Sequence, residues 1–361
     1  MITISLCMIV KNEEDTIGRC LDSIKDIADE IIIVDTGSTD CTKEIAAAFT
    51  DKIYDFEWID DFSAARNFAF EQATMEYILW LDADDILLPE DIVKFKALKN
   101  ILPPDIDVVM LRYNTGFDGQ GRAVFSYYRE RLSKRSCHFK WQEPVHEYLA
   151  VSGNRLNVDI CVTHRKPPGR PGGRNIRIYE ARIAKGERLS PRGMYYFARE
   201  LRDHGRFSEA ITWFERFLAS GLGWVEDVIT ACGELGNCYL AENKPEEALR
   251  AMLRSFAYDT PRAELCCQIG YYFKNLENYK LAVFWFELVL KLDSPKTQWG
   301  FRQEDCWGYI PCIELAVCYD KLGALETASK FNDMAAEYKP DSPAILHNKK
   351  YFENRLTKQN L

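Results

Sequence analysis

The residues best suited to chemistry fall in two acidic signatures near the amino terminus, Val34-Asp35-Thr36-Gly37-Ser38-Thr39-Asp40 and Trp80-Leu81-Asp82-Ala83-Asp84-Asp85. Each closes an apolar, strand-like run. Carboxylates at the carboxyl ends of parallel strands lie where open α/β sheets bind ligands, and an Asp-x-Asp there can hold a divalent cation against a diphosphate. The pairing reads as a nucleotide-sugar site, and therefore as an enzyme. Asp84 is the leading metal ligand, with Asp82 or Asp85 assisting directly or through water, because a tight acidic cluster after a buried strand is costly without a cation. Mg²⁺ or Mn²⁺ suits such hard oxygen ligands. Plainer roles stand beside these: turn formation or helix capping for Asp35 and Asp40, and a turn before a helix for Asp85, which precedes Ile86-Leu87-Leu88-Pro89.

The elements that must position these groups change character near residue 185. Before it, strand-like runs at Ile2 to Val10, Glu30 to Asp35 and Tyr77 to Leu81 alternate with helical stretches over Thr16 to Ile27 and Thr42 to Phe49. Such alternation predicts an α/β domain with a mostly parallel, Rossmann-like sheet and right-handed crossovers over residues 1–185. Thr39 or Asp40 can cap the helix after the second strand. Beyond a Pro-, Gly- and Arg-rich stretch from Arg165 to Arg174, the remainder reads as helical.

Repetition defines residues 186–361. Small residues recur twelve apart at Ala198 and Ala210, Gly236 and Ala248, Gly270 and Ala282, and Ala316 and Ala328. They match the small positions of tetratricopeptide helix pairs, where close approach excludes bulk. Leu201, Tyr239, Phe273 and Tyr319 stand three positions after the first member of each pair, and Pro261, Pro295 and Pro340 follow three of the units. The units are spaced 38, 34 and 46 residues apart, so an insertion holding Trp299, Phe301, Trp307 and Tyr309 separates the last two. These aromatics would line a groove or seal an irregular repeat junction. Ser342 to Leu356 predicts a polar capping helix, which completes an all-α solenoid.

Composition excludes several classes. Among 361 residues, 46 Lys plus Arg face 55 Asp plus Glu for a net charge of -9, which argues against a general nucleic-acid binder. No apolar run approaches membrane-spanning length, and MITISLCMIVKNEE lacks a basic start and a cleavage site, so a cytoplasmic protein is expected. The twelve cysteines are scattered without Cys-x-x-Cys pairs, which suits reduced and mostly buried thiols. There is no Gly-x-x-x-x-Gly-Lys-Ser/Thr loop, and no Gly-x-Gly-x-x-Gly follows the first strand. A nucleotidyltransferase would want a basic, glycine-rich loop where this chain has Lys11-Asn12-Glu13-Glu14.

Read together, Met8-Ile9-Val10-Lys11-Asn12-Glu13-Glu14, the Asp35 and Asp82 signatures, and Trp58-Ile59-Asp60-Asp61-Phe62-Ser63-Ala64-Ala65-Arg66-Asn67 resemble glycosyltransferase family 2 of the GT-A fold over residues 1 to about 165. Val145-His146-Glu147, His164 and the appended repeats extend the resemblance to the bacterial branch that contains S-glycosyltransferases of bacteriocin peptides. The resemblance implies a metal-dependent inverting glycosyltransferase that uses a nucleotide sugar, with UDP the expected nucleotide. It implies that Asp35 meets uracil or ribose, that Asn12 and Glu13 border the base, and that Asp82 accepts from ribose hydroxyls. Family members often carry Asp where this chain has Thr36, which puts contacts from that second carboxylate in doubt. Arg66 would pair with Asp82 or with phosphate, bidentate geometry favouring arginine. Trp58 and Phe62 read as core.

The resemblance also implies that His164 joins Asp84 and Asp82 at the cation, although a lone His at a strand end is commonly structural. An inverting transfer needs a base for the acceptor's proton. Glu147 is the candidate, with His146 as a neighbouring base or an orienting residue. Arg165, Lys166, Arg170, Arg174 and Arg177 would close over the donor diphosphate or form a solvated linker. The repeats would engage a peptide, protein or glycan acceptor, and repeats of this kind also support homodimers. A different reading is a non-catalytic scaffold whose repeats bind protein beside a vestigial sugar-nucleotide site.

Overall fold

The structure is a computed structural model that describes residues 1–117, 119, 121, 123–165, 172–293 and 302–359. The chain forms two compact units, Met1–Arg188 and Leu189–Leu361.

The first unit runs β1 (Ile4–Val10), α1 (Ile17–Ile24), β2 (Glu30–Asp35), α2 (Thr42–Ala47), β3 (Ile53–Asp55), α3 (Phe62–Glu71), β4 (Tyr77–Trp80), β5 (Asp85–Leu87), α4 (Pro89–Ile101), β6 (Val108–Phe117), β7 (Ala123–Lys134), β8 (Trp141–Gln142), β9 (Tyr148–Leu149), β10 (Arg155–His164) and α5 (Arg174–Ala184). Its main sheet has the order β3-β2-β1-β4-β7-β6-β10-β5. The half from β3 to β4 is parallel, as the strand–helix alternation requires. The other half is mixed: β7 lies antiparallel to both β4 and β6, β10 runs parallel to β6, and β5 lies antiparallel on β10. The sheet is thus less parallel than the sequence pattern suggests. The link from Phe117 to Ala123 is too short for a crossover, so β6 and β7 must pair antiparallel.

Both faces of the parallel half are covered. Ile4, Leu6, Met8 and Val10 alternate into one core with the inner face of α1, Ile17, Cys20, Leu21 and Ile24. Cys7, Ile32, Val34, Ile78 and Trp80 face the other core, under Ala69 and Phe70 of α3. Strands buried on two sides read as continuous apolar runs, which is why they were legible. Asp61 caps α3 by accepting the Ala64 amide at 3.0 Å.

The second unit pairs α6 (Pro191–Asp203) with α7 (Phe207–Ser220), α8 (Val225–Ala241) with α9 (Pro245–Arg254), α10 (Ala263–Asn275) with α11 (Tyr279–Val289), and α12 (Tyr309–Lys321) with α13 (Leu325–Tyr338); α14 (Pro343–Gln359) follows. The small residues lie where the helices of each pair meet. The six alanines among them are fully buried, and a Cβ on Gly236 would come within 2.6 Å of Met252 Cγ. On Gly270 a Cβ would lie 2.7 Å from the Phe286 ring. α14 is polar except for a seam that buries Ile345 and Phe352. Of the aromatics assigned to the insertion, Tyr309 instead opens α12, and Trp307 donates its indole N–H to Glu264 at 3.1 Å. Trp299, Phe301 and Pro295 lie outside the described residues. Among the described residues no helix is long and apolar enough to cross a membrane.

Glu30 ties β2 to its neighbours. Its carboxylate accepts from the Thr74 amide and hydroxyl, each at 2.9 Å, and from the Ser5 hydroxyl and the Lys52 ammonium. Burial alone would raise its pKa, but these donors prevail and lower it from 4.5 to about 2. A depressed carboxylate contributes stability above its ordinary pKa and loses it as pH falls toward the folded value. Glu30→Gln should therefore cost on the order of 3 kcal/mol at pH 7. In urea unfolding that gap should shrink steadily between pH 4.5 and pH 2; a gap independent of pH would contradict this account.

Candidate active site

The second acidic signature folds into a tight turn between β4 and β5. The Asp85 amide donates to the Asp82 carbonyl at 3.0 Å, and the Asp82 amide donates to Asp85 Oδ2 at 3.1 Å. The turn divides its three carboxylates between two arginines and His164, which Asp84 and Asp85 share. Asp85 points inward, fully buried, with Arg131 Nη1 3.0 Å away. Asp82 Oδ1 meets Arg66 Nη2 at 2.6 Å. Asp84 faces His164, which the antiparallel pairing of β5 with β10 sets opposite Asp85.

His164 Nδ1 lies 3.2 Å from Asp85 Oδ1, 3.4 Å from Asp84 Oδ1 and 3.0 Å from the Tyr113 hydroxyl. Ligand atoms of Asp84, Asp85 and His164 fall within 4.8 Å of one another. Burial pushes the Asp84 carboxyl up to about 6, with Asp82, Asp85 and Glu13 adding to the rise against the opposing pull of His164. Burial pulls the His164 imidazole down, but the Asp85 hydrogen bond and the surrounding carboxylates outweigh it and raise the pKa. Carboxylate and imidazole donors crowded by negative charge are a set that Mg²⁺ or Mn²⁺ fits.

Asp82 is not in that cluster. Burial would raise its pKa, yet Arg66 and Arg131 hold it down at about 2. Arg66 projects from α3 and bridges two carboxylates, Asp82 and, through Nε at 2.7 Å, Glu147 Oε1. Its guanidinium lies 5.0 Å from the Trp80 ring centroid and 4.8 Å from that of Trp141. Asn67, beside it, exchanges two hydrogen bonds with the Trp141 backbone and so ties α3 to β8. Glu147 and His146 follow β8 on the turn before β9, where His146 takes a left-handed φ of 52°.

Asp35 ends β2 with its two oxygens in different settings. Oδ1 accepts the Gly37 and Ser38 amides at 2.8 and 2.7 Å and builds the turn, which the φ of +99° at Gly37 reserves for glycine. Oδ2 is buried with no hydrogen-bond partner among the described residues. Asn12 and Glu13 bind the neighbouring loop: Asn12 Oδ1 accepts the Thr39 amide at 2.8 Å, and the Glu13 amide donates to Thr42 Oγ1 at 2.7 Å. Asp40 accepts the Thr42 amide at 3.0 Å at the start of α2, although Cys41 occupies the capping position. Thr36 is buried, its hydroxyl bonded to the Val10 carbonyl at 3.1 Å.

Arg170 and Lys166 lie outside the described residues. The Arg165 amide donates to the Asp84 carbonyl at 2.8 Å, and Arg174 stands 4.4 Å from the Phe62 ring. Trp58 and Phe62 are half-buried and packed edge to face at 4.7 Å, where the sequence suggested core. Arg129, Arg131 and Tyr113 were missed. The Arg-x-Arg alternation in β7 carries the signal, since residues two apart share a strand face.

Residues 5–165 match the family model described as Glycosyl transferase family 2, and residues 263–295 match a tetratricopeptide repeat. Over these residues the chain is thus similar to family 2 glycosyltransferases and to a tetratricopeptide repeat. A TPR repeat-containing protein of Synechococcus elongatus is 40% identical over 149 residues, 41% of this chain and 36% of that protein. The SPbeta prophage-derived glycosyltransferase SunS of Bacillus subtilis is 30% identical over 226 residues, 59% of this chain and 53% of that protein. The chain spans about half or less of the length of these curated relatives. Among solved structures, YrrB, described as a TPR protein with an unusual peptide-binding site, is 20% identical with a TM-score of 0.38, covering 49% of this chain and 82% of its own.

Arg66→Met would leave the partly exposed Asp82 and the more enclosed Glu147 without their shared cation. Urea unfolding should register a loss of about 3 kcal/mol, part of it recovered by Arg66→Lys. A loss below about 1 kcal/mol would place the bridge among weak surface pairs instead.

Proposed function

We propose that the chain is a metal-dependent inverting glycosyltransferase that moves a sugar from a nucleotide sugar, with UDP the expected nucleotide, to a peptide, protein or glycan acceptor. The observation that carries this reading is the meeting of Asp84, Asp85 and His164 beyond β4, in a domain that matches glycosyltransferase family 2. A divalent cation held by Asp84 and His164 would neutralise the charge that builds on the departing nucleoside diphosphate.

The chain's own residues supply the rest. The partnerless Oδ2 of Asp35 is an acceptor for an N–H on the base, and Asn12 and Glu13 hold the loop that borders it. Asp82, fixed by Arg66, accepts from ribose hydroxyls. Glu147, oriented by the same guanidinium, takes the acceptor's proton, with His146 beside it. Arg170 meets the diphosphate. The repeat unit recruits and orients the acceptor, so donor and acceptor recognition belong to different units, Met1–Arg188 and Leu189–Leu361. Where the acceptor is a thiol, its moderate pKa reduces the strength of base required.

The test is release of nucleoside diphosphate by purified protein from UDP-, GDP- and dTDP-sugars with Mn²⁺ or Mg²⁺, together with calorimetry of donor binding. Turnover of one donor, abolished by chelator and lowered at least about 100-fold in Asp84→Asn with folding retained, is expected. Neither hydrolysis nor binding of any donor would leave the scaffold reading.

A further inference from the structure

Arg131 is the largest charged side chain fully buried in the first unit, and no motif drew attention to it. It projects from β7 between two aromatic rings, its guanidinium 3.8 Å from the Trp80 centroid and 4.3 Å from that of Tyr113. Nη1 contacts Asp85 Oδ2 at 3.0 Å and donates to the Trp80 carbonyl at 3.3 Å. Nε and Nη2 have no partner among the described residues. A buried ion pair with unsatisfied donors is a poor device for stability, since apolar side chains of similar volume commonly serve as well or better.

Its geometry serves orientation. With Oδ2 of Asp85 held by Arg131, Oδ1 is turned toward His164 Nδ1 at 3.2 Å. The oxygens of Asp85 and Asp84 both face that nitrogen. Two carboxylates on Nδ1 outweigh the Tyr113 hydroxyl 3.0 Å from the same nitrogen, so the imidazole proton sits there and the lone pair is left on Nε2. We propose that Arg131 is a positioning residue: clamped by Trp80 and Tyr113, it fixes Asp85, and Asp85 fixes the His164 ring with its proton on Nδ1, so that Nε2 is the nitrogen offered to a divalent cation beside Asp84. The cation rests on the proposed function; the orientation of the ring does not.

The full chain, labelled with ¹⁵N, allows the two to be separated. Long-range ¹H–¹⁵N spectra, with His164→Gln to assign the signal, should show the Nδ1–H tautomer in the unaltered protein. Arg131→Met/Asp85→Leu replaces the pair with apolar groups and so avoids stranding a buried charge. It should keep its circular dichroism spectrum, show mixed tautomers, and bind Mn²⁺ at least about tenfold more weakly by electron paramagnetic resonance. Arg131→Lys, which keeps the cation, should recover most of that affinity. An Nδ1–H tautomer unchanged in the double variant would overturn the proposal whatever the Mn²⁺ affinity, because Asp85 itself stands in the acidic cluster. If the unaltered protein binds no Mn²⁺, the metal-dependent reading falls, while the tautomer comparison still decides whether Arg131 orients His164.

Discussion

The site depends on the burial of positive charge around one indole. Guanidinium groups of Arg66, Arg129 and Arg131 lie 5.0, 4.9 and 3.8 Å from the Trp80 ring centroid. Each answers a carboxylate: Asp82 and Glu147 for Arg66, Glu130 for Arg129, Asp85 for Arg131. Carboxylates gathered at this density, Asp85 fully buried among them, would repel one another, and the arginines make their coexistence tolerable. Trp80 is the last residue of β4 and leads directly into the acidic turn, so the same residue that ends the strand sets where the charges gather.

That network gives neighbouring carboxylates opposite characters. Asp82, faced by Arg66 and Arg131, is held near 2, while Asp84, with burial and three acidic neighbours against it, sits near 6. An anion already compensated by arginine suits hydrogen bonding to hydroxyls. A carboxylate left in negative surroundings suits a cation. Two residues apart in sequence, they differ because the turn aims them at different elements, α3 for Asp82 and β10 for Asp84.

The second unit follows a different physical rule. Its helix pairs are set by small residues at the crossing points, where Gly236 and Gly270 admit Met252 and Phe286 into space that a Cβ would occupy. Such units stack by repetition and need no charged centre, which leaves their surfaces free to vary.

Local pattern was enough for much of this protein. The apolar runs of β1, β2 and β4 announced buried parallel strands, since both faces of each are covered, and the twelve-residue recurrence of small side chains announced the helix pairs. Asp35, Asp82 and Asp84 stood out because strand ends are written locally in turn chemistry, whereas His164 was marked only by the family resemblance. The mixed half of the sheet did not show, because β6 and β7 carry polar residues along their length and their pairing is a relation between segments. Which carboxylate receives which arginine was equally out of reach: Arg66 and Glu147 are 81 positions apart, and Asp85 meets Arg131 only because β4 lies beside β7 and β5 pairs with β10. Sequence by itself determined the elements and the chemical types at their ends. Tertiary structure alone decided the charge partners, because burial and proximity, which set the behaviour of an ionisable group, come from strands brought together across the sheet.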